Sequence, residues 1–307
     1  MEIEVIHKDS LGVSTNKLFN LSTLGLIKHF GLAGQSYGTT IRAIRRAIGT
    51  YFLYHDFFKT TDLINSRFSK PPAYFYDPTD QGDFSTIAGR AIADFLARRI
   101  DGATHTYTYE GAMLMEGFNK INVPRADLYC FNSLNQFAIE SKGFSDRTVS
   151  ENQMTIHKTQ SNQGPLDIQF SVASVSYNLY NKIKNKYYDP VNDNSKFNIE
   201  LNRKISSTYY SGFAELLKEK NDLPTLNFSD KNREFTLMPI YSPYDDYLFH
   251  DRKFRYRPYR YGTLFLVLDK RIKQFAKEGF LKNEEKNEIS EDGLYIDNDG
   301  IGLMIDF

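Results

Sequence analysis

Between residues 84 and 139 the spacing of apolar side chains changes from helical to extended, and this change restricts the fold more than any other feature of the chain. Over 84–100, Ile87, Ala91 and Phe95 share one row and Ala88, Ile92 and Leu96 the adjoining one, a helical face for which Ser85 is a candidate cap. Residues 104–109 are then rich in Thr and Tyr, 126–131 alternate, and 136–139 form another short extended run, so three strands are expected after one helix. Beyond a polar loop at about 143–164, residues 168–183 return to helical spacing through Val172, Val175, Leu179 and Ile183. Helix, three strands and helix in that order predict an α/β protein, a small mixed central sheet flanked by helices.

The flanks read differently. Residues 1–70 are expected to be mostly helical, because Leu24, Ile27 and Phe30, then Ile41, Ile44 and Ile48, recur at spacings of three and four. Gly31, Gly34 and Gly38 lie between these pieces; no Gly-Lys-Ser/Thr follows them, so they read as a helix-joining turn rather than a phosphate loop. Pro71, Pro72 and Pro78 end that region. Towards the C-terminus, 211–220 and 270–279 read as helices, 262–268 as a buried strand, and 300–307 as a short returning strand after an acidic stretch over 284–299. The expected organisation is a mainly helical region at 1–80, a core at 81–189, and a mixed elaboration at 190–307 packed on that core.

Thirty-eight basic residues against thirty-eight acidic ones leave no global field to commit the protein to nucleic acid or membrane, so any such partner must meet a local patch. The single cysteine, Cys130, excludes an internal disulfide and any cysteine-built zinc site. It sits in an apolar strand as a core residue rather than a nucleophile, and the six histidines show no metal-ligand spacing. No apolar run approaches the roughly 18–20 residues of a membrane helix, and the start Met-Glu-Ile-Glu-Val lacks the halves of a signal peptide. A cytoplasmic protein is expected.

One constellation stands out within the core. Asp127 lies on one expected strand and Glu140-Ser141-Lys142 on the next, thirteen residues later. Alternation sends Glu140 and Lys142 to one face and Ser141 away from it, and a short turn can bring that face to Asp127. Cutting a phosphodiester needs a nucleophilic water, charge compensation and help for the leaving oxygen, much of which carboxylate-held Mg²⁺ supplies. Asp127 and Glu140, with the Ser141 carbonyl, would hold Mg²⁺, with Mn²⁺ as a substitute. Lys142 would stabilise developing charge or, with its pKa depressed, assist deprotonation; the residue type serves both roles. Two other Asp/Glu-x-Lys triplets, Glu284-Glu285-Lys286 and Asp251-Arg252-Lys253, lack the alternating apolar lead-in that Phe137-Ala138-Ile139 gives Glu140. The plain alternative is a salt-bridged Glu and Lys on an exposed strand face.

Asp127, Glu140 and Lys142, in that order among these elements, resemble the PD-(D/E)xK nuclease superfamily, a restriction-endonuclease-like fold; the likeness covers about 84–185. The sequence departs from the family's pattern in placing Pro124 three residues before Asp127, with Ala126 where the proline would stand. The resemblance implies a Mg²⁺-dependent endonuclease that cleaves DNA, with RNA left open, in a restriction, phage-defence or repair setting, and makes a homodimer a candidate assembly for cutting two strands. It also implies a third acid from the preceding helix or first strand. Glu110 is preferred, since Asp94 lies between Arg90 and Arg98 at helical spacing and so has nearby cations. A non-catalytic nuclease-fold protein that binds nucleic acid or joins a complex is the competing reading.

The densest basic stretch, Arg252, Lys253, Arg255, Arg257 and Arg260 interleaved with Phe254, Tyr256, Tyr259 and Tyr261, suits phosphate contact and base stacking. The alternative is a solvated loop paired with Asp245, Asp246 and Asp251. Lys182, Lys184 and Lys186 can touch backbone phosphate, and His157, Lys158, Gln160 and Gln163 are expected on the loop after Lys142, within reach of substrate or on a plain polar surface.

Overall fold

A computed structural model describes residues 1–35, 49, 53–70, 77–119, 122–189, 196–217, 223–228, 233–241, 263–279 and 288–306. The chain opens on strands, not on the helix expected there: β1 (Glu2–Lys8) and β2 (Ser14–Asn20) pair antiparallel. Ile3, Val5 and His7 alternate with partly exposed neighbours along β1, a period of two that the helical spacing further on concealed. Helix α1 (Thr23–Leu32) follows, capped by Ser22, whose hydroxyl accepts from the Gly25 N–H at 3.1 Å. The expected helical positions Ile41, Ile44 and Ile48 lie outside the described residues. A short helix α2 (Thr60–Ile64) precedes the long α3 (Pro78–Ile100).

Helix α3 starts a full two turns before the expected cap. Asp77 accepts from the Thr79 N–H at 2.7 Å and Pro78 occupies the first turn, where a missing N–H costs nothing, so Ser85 is an interior residue. After it come β3 (His105–Thr108), helix α4 (Tyr109–Glu116), β4 (Leu128–Phe131) and β5 (Gln136–Gly143). The expected polar loop contains helix α5 (Glu151–Ser161), closed at its start by reciprocal Ser150 and Gln153 hydrogen bonds. The expected helix over 168–183 is instead β6 (Phe170–Tyr177), followed by β7 (Lys184–Tyr188). β6 is buried on both faces, so it carries no polar alternation and its apolar run mimics a helix. Val172 enters the core under α3 while Val175, three residues on, enters the one under α5.

The first seven strands form one mixed sheet in the order β2-β1-β7-β6-β5-β4-β3; β1 is parallel to β7 and β5 to β6, and the other neighbours are antiparallel. Helix α3 covers one face through Phe84, Ala88, Ile92 and Phe95 packed on Leu128, Cys130, Phe137 and Ile139. Many of the phenylalanines answer to this core: Phe84 is ringed by Phe30, Phe57, Phe58 and Phe68, with centroids 4.1–5.8 Å away. Helices α4 and α5 cover the other face.

The C-terminal part adds helix α6 (Ile199–Leu216), strands β8 (Thr225–Phe228), β9 (Arg233–Tyr241) and β10 (Thr263–Asp269), helix α7 (Ile272–Glu278), and strands β11 (Ile289–Glu291), β12 (Leu294–Ile296) and β13 (Ile301–Asp306). Its six strands form an antiparallel sheet, β11-β12-β13-β10-β9-β8, curled into a half-barrel. Helix α1 belongs to both cores, Leu26 and Phe30 facing the first sheet and Leu24 and Ile27 the second.

α3 lies on β5 so closely that both elements need glycine where they touch. A Cβ at Gly89 would fall 2.5 Å from the backbone of Lys142 and Gly143. Backbone cannot swing aside as a side chain can. Gly89→Ala is therefore expected to cost about 3 kcal/mol, read as a lowered urea midpoint with an unchanged slope; a midpoint equal to that of the unaltered protein would show that α3 has room to lift.

Candidate active site

Asp127 stands one residue before β4, at the place where that strand's pairing with β5 ends. Its N–H donates to the Ile139 carbonyl at 3.1 Å, and its Oδ2 accepts both the Ser141 N–H at 2.9 Å and the Ser141 hydroxyl at 3.0 Å. The carboxylate thus extends the ladder one step by replacing a backbone acceptor. Alternation along β5 turns Ser141 away from Glu140 and Lys142, yet its hydroxyl still reaches Asp127 because the carboxylate lies in line with the sheet. Asp127 also accepts the Tyr109 N–H on its own carbonyl, so the β3–α4 junction holds it from the other side.

Phe137 and Ile139 enter the core under α3, so alternation turns Glu140 and Lys142 to the opposite face, on which α5 packs. The Lys142 ammonium lies 2.5 Å from Glu140 Oε1 and 3.5 Å from Asp127 Oδ2. The three expected groups therefore do converge. They differ in depth: the Glu140 side chain is 5% exposed, while Asp127 and Lys142 are about a third open at the mouth. Burial and then the neighbouring Asp127 charge push the Glu140 carboxyl up to about 7, against the opposing pull of Lys142. Burial draws the Lys142 amine down, but the two carboxylates outweigh it and raise it above its ordinary value.

Neither candidate third acid joins them. Glu110, in the first turn of α4, is bound to the Arg125 guanidinium at 2.6 Å. Asp94 is wholly buried on α3 between Arg98, His29 and Thr106. Among the described residues no three His, Cys, Asp or Glu side chains cluster as metal ligands. The site is two carboxylates and an amine.

Other expected residues fall as follows. Arg252, Lys253, Arg255, Arg257 and Arg260 lie outside the described residues. Lys182 and Lys184 pair with Glu4, and Lys186 with Glu151 at 2.7 Å, so they are engaged on β7 and its neighbours rather than following a core helix. His157, Lys158 and Gln160 sit on α5, not on a loop, and Gln163 just after it. His157 donates through Nδ1–H to the Gln160 Oε1 at 3.1 Å, and its ring lies 6.3 Å from that of Phe144. Burial, with Lys142 and Arg147 acting in the same sense, lowers the His157 pKa, which places it within the field of the site. The Arg147 guanidinium lies 3.9 Å over the Phe144 ring. Cys130 is fully buried with its thiol pushed up by that burial, in keeping with a core role.

No protein-family model, curated protein or solved structure matches the chain. Fold and site define it as an α/β protein with a seven-stranded mixed sheet that carries a carboxylate–amine cluster beside the end of β4, joined to a six-stranded antiparallel sheet. Among the described residues no helix is long and apolar enough to cross a membrane.

Proposed function

We propose that this protein is a metal-dependent endonuclease of the PD-(D/E)xK kind that hydrolyses DNA phosphodiester bonds. The observation that carries the reading is the convergence of Asp127, Glu140 and Lys142, with Glu140 and Lys142 on one face of β5 and the Lys142 amine within 3.5 Å of both carboxylates. The order α3, β3, α4, β4, β5, α5 around them, with β3, β4 and β5 antiparallel and followed by β6 parallel to β5, supports it.

The residues present suit a hard divalent cation. Two carboxylates converge on a single ammonium, so with both acids ionised one negative charge is left unmatched, which a divalent ion would neutralise. Asp127 and Glu140 would hold Mg²⁺, which supplies a Lewis acid beside the phosphate. The chain's own parts are plain. Ser141 fixes the Asp127 carboxylate through two hydrogen bonds, so the acid is positioned before substrate arrives. Lys142, kept protonated by its neighbours, places a full positive charge where the phosphorane oxygens gather negative charge. Of the two roles open to it, charge stabilisation agrees with that raised pKa.

Purified protein is expected to nick and linearise supercoiled plasmid with Mg²⁺ or Mn²⁺, and Lys142→Ala to cut at least about 100-fold more slowly. Plasmid left intact with both metals, or cut equally by the variant, would overturn the proposal. A second reading is favoured by one distance: at 2.5 Å from Glu140, Lys142 fills the space between the acids as a salt bridge would in a non-catalytic nucleic-acid-binding protein. That reading expects plasmid retarded in a gel but uncut.

A further inference from the structure

A cleft of about 590 Å³ opens between the first turns of α3 and residues 143–147, where β5 leaves the sheet. Its size falls in the range of about 300–1,000 Å³ typical of small-molecule sites. Gln81, Gly82 and Ser85 line one wall, and Gly143, Phe144 and Arg147 the other. Gly143 directly follows Lys142, so the cleft begins one residue from the candidate active site, on the α3 side of the same strand end.

Two side chains in it point to a missing partner. Ser85 is 95% buried, being 5% exposed, and its hydroxyl has no hydrogen bond among the described residues; the buried Gln81 Nε2 likewise has none. A serine inside a helix ordinarily returns its hydroxyl to the carbonyl four residues back. Thr86, next along, does so, donating to the Gly82 carbonyl at 3.0 Å. Ser85, a lining residue of the cleft, makes no such bond among the described residues, and a buried polar group without a partner costs stability unless something bound beside it satisfies it.

The lining selects the chemistry of that partner. Hydroxyl and amide groups offer donors and acceptors, the Phe144 ring with Arg147 over it offers a flat face, and Asp146 balances Arg147 in charge. Asp77, Asp80 and Asp83 crowd the same end of α3, which opposes a phosphate at the helix terminus. Such a site fits an uncharged, flat, hydrogen-bonding group. Resting on the endonuclease reading, we infer that the cleft seats the base and sugar of the DNA nucleotide next to the phosphate addressed by Lys142. The neighbouring nucleotide is then gripped by α3 and the 143–147 loop while its phosphate lies across the strand end, which makes Ser85 and Gln81 residues that sense the base.

The test uses a variant that fills the cleft without disturbing the core. A Cβ at Gly82 meets no atom within 4 Å, so Gly82→Tyr introduces its ring from an open position, in a helix where glycine is a poor choice. Ser85→Ala removes only the unpartnered hydroxyl. Affinity for a fluorescein-labelled 20-base-pair DNA duplex in EDTA, plasmid cutting with Mg²⁺, and melting temperature are measured for each. Gly82→Tyr is expected to bind the duplex at least tenfold more weakly and Ser85→Ala roughly fivefold, with melting temperatures no lower than that of the unaltered protein. If the unaltered protein cuts and both variants bind and cut as well as it does, the cleft assignment falls and the endonuclease reading stands. If the unaltered protein does not cut but Gly82→Tyr still loses duplex affinity, the endonuclease reading falls and the cleft remains a nucleotide seat. Failure of the unaltered protein to bind the duplex overturns the inference.

Discussion

Glu140→Gln is expected to abolish Mg²⁺-dependent cutting and, at pH 8, to make the metal-free protein more stable than the unaltered one. The two effects share one cause. The carboxylate sits beneath Asp127 with its side chain 5% exposed, and burial plus the Asp127 charge raise its pKa from 4.5 to about 7. A group whose folded pKa exceeds its unfolded value favours the folded state when protonated, so ionising it in place costs stability. The cost is absent below pH 4.5, where the carboxyl is protonated in both states, grows between pH 4.5 and 7, and is complete above 7. At about 1.4 kcal/mol per unit its ceiling is ~3 kcal/mol, with the attraction of Lys142 already contained in the value of about 7; the poorer fit of an amide in a cavity shaped for a carboxyl brings the net gain to about 1–2 kcal/mol. For a chain of this size that raises the melting temperature by roughly 2–3 °C. Melting curves at pH 8 and pH 4.5 check it: the variant leads at pH 8, and the two coincide at pH 4.5. A variant that melts below the unaltered protein at pH 8 would show that Glu140 is a stabilising salt-bridge partner, as the non-catalytic reading requires.

The legibility of this site in the sequence has a local cause. Phe137, Ala138 and Ile139 alternate ahead of Glu140 and bury in place, so counting along β5 was enough to set Glu140 and Lys142 on one face. Alternation could not show that Ser141 bonds Asp127, since that depends on where β4 stops pairing with β5. The helical expectation for β6 failed because a strand covered on both faces shows no polar phase, and α5 was hidden for the opposite reason: only Met154 and Ser161 on it are buried, so it has no apolar stripe. The N-terminal strands are hard to read although Ile3, Val5 and His7 alternate, because the helical spacing of 24–30 is the stronger signal beside them. At the C-terminus the strands at 262–268 and 300–307 were visible singly, but their antiparallel register, Leu264 against Ile305, is a long-range fact. Long-range too are the partners of the charged residues on α1. Lys28 and His29 look in sequence like a solvated face, yet both are buried against groups from the last twenty residues.

Those partners underlie the second large effect: Arg98→Met is expected to cost about 3–5 kcal/mol of folding stability. Arg98 contacts Asp94 at 3.2 Å, Asp299 at 2.9 Å and Asp297 at 3.4 Å; Lys28 bonds Asp297 at 2.6 Å and Asp299 at 2.9 Å; His29 bonds Asp94 at 2.5 Å. All six are wholly buried, and Tyr209 adds a hydrogen bond to Asp299 at 2.8 Å. Methionine fills much of the arginine's space, so the loss is electrostatic: three carboxylates would face Lys28 alone, with His29 held neutral by its burial. Desolvation penalises the Asp94 and Asp297 charges, but the cations outweigh it and hold both carboxyls below the usual range. Their contribution is therefore present above pH 4 and lost as pH falls through the depressed values. Without Arg98 the carboxyls protonate more readily, so the gap between variant and unaltered protein is widest near pH 7 and narrows below pH 4. Adding Asp94→Asn should restore part of the loss, because the pair together leaves fewer unmatched charges than the single change. Urea unfolding of the unaltered protein, the Arg98→Met and Asp94→Asn single variants and the double variant at pH 7 and pH 4 measures this; an Arg98→Met cost below about 1 kcal/mol, or no recovery in the double variant, would mean that apolar packing alone joins the two sheets. The network clamps the C-terminal half of α3, and the N-terminal half of that same helix backs β5 at Gly143. Loosening Arg98 is thus expected to reduce plasmid cutting at temperatures where the variant is still folded, an effect transmitted along one rigid helix from a buried charge cluster to Lys142.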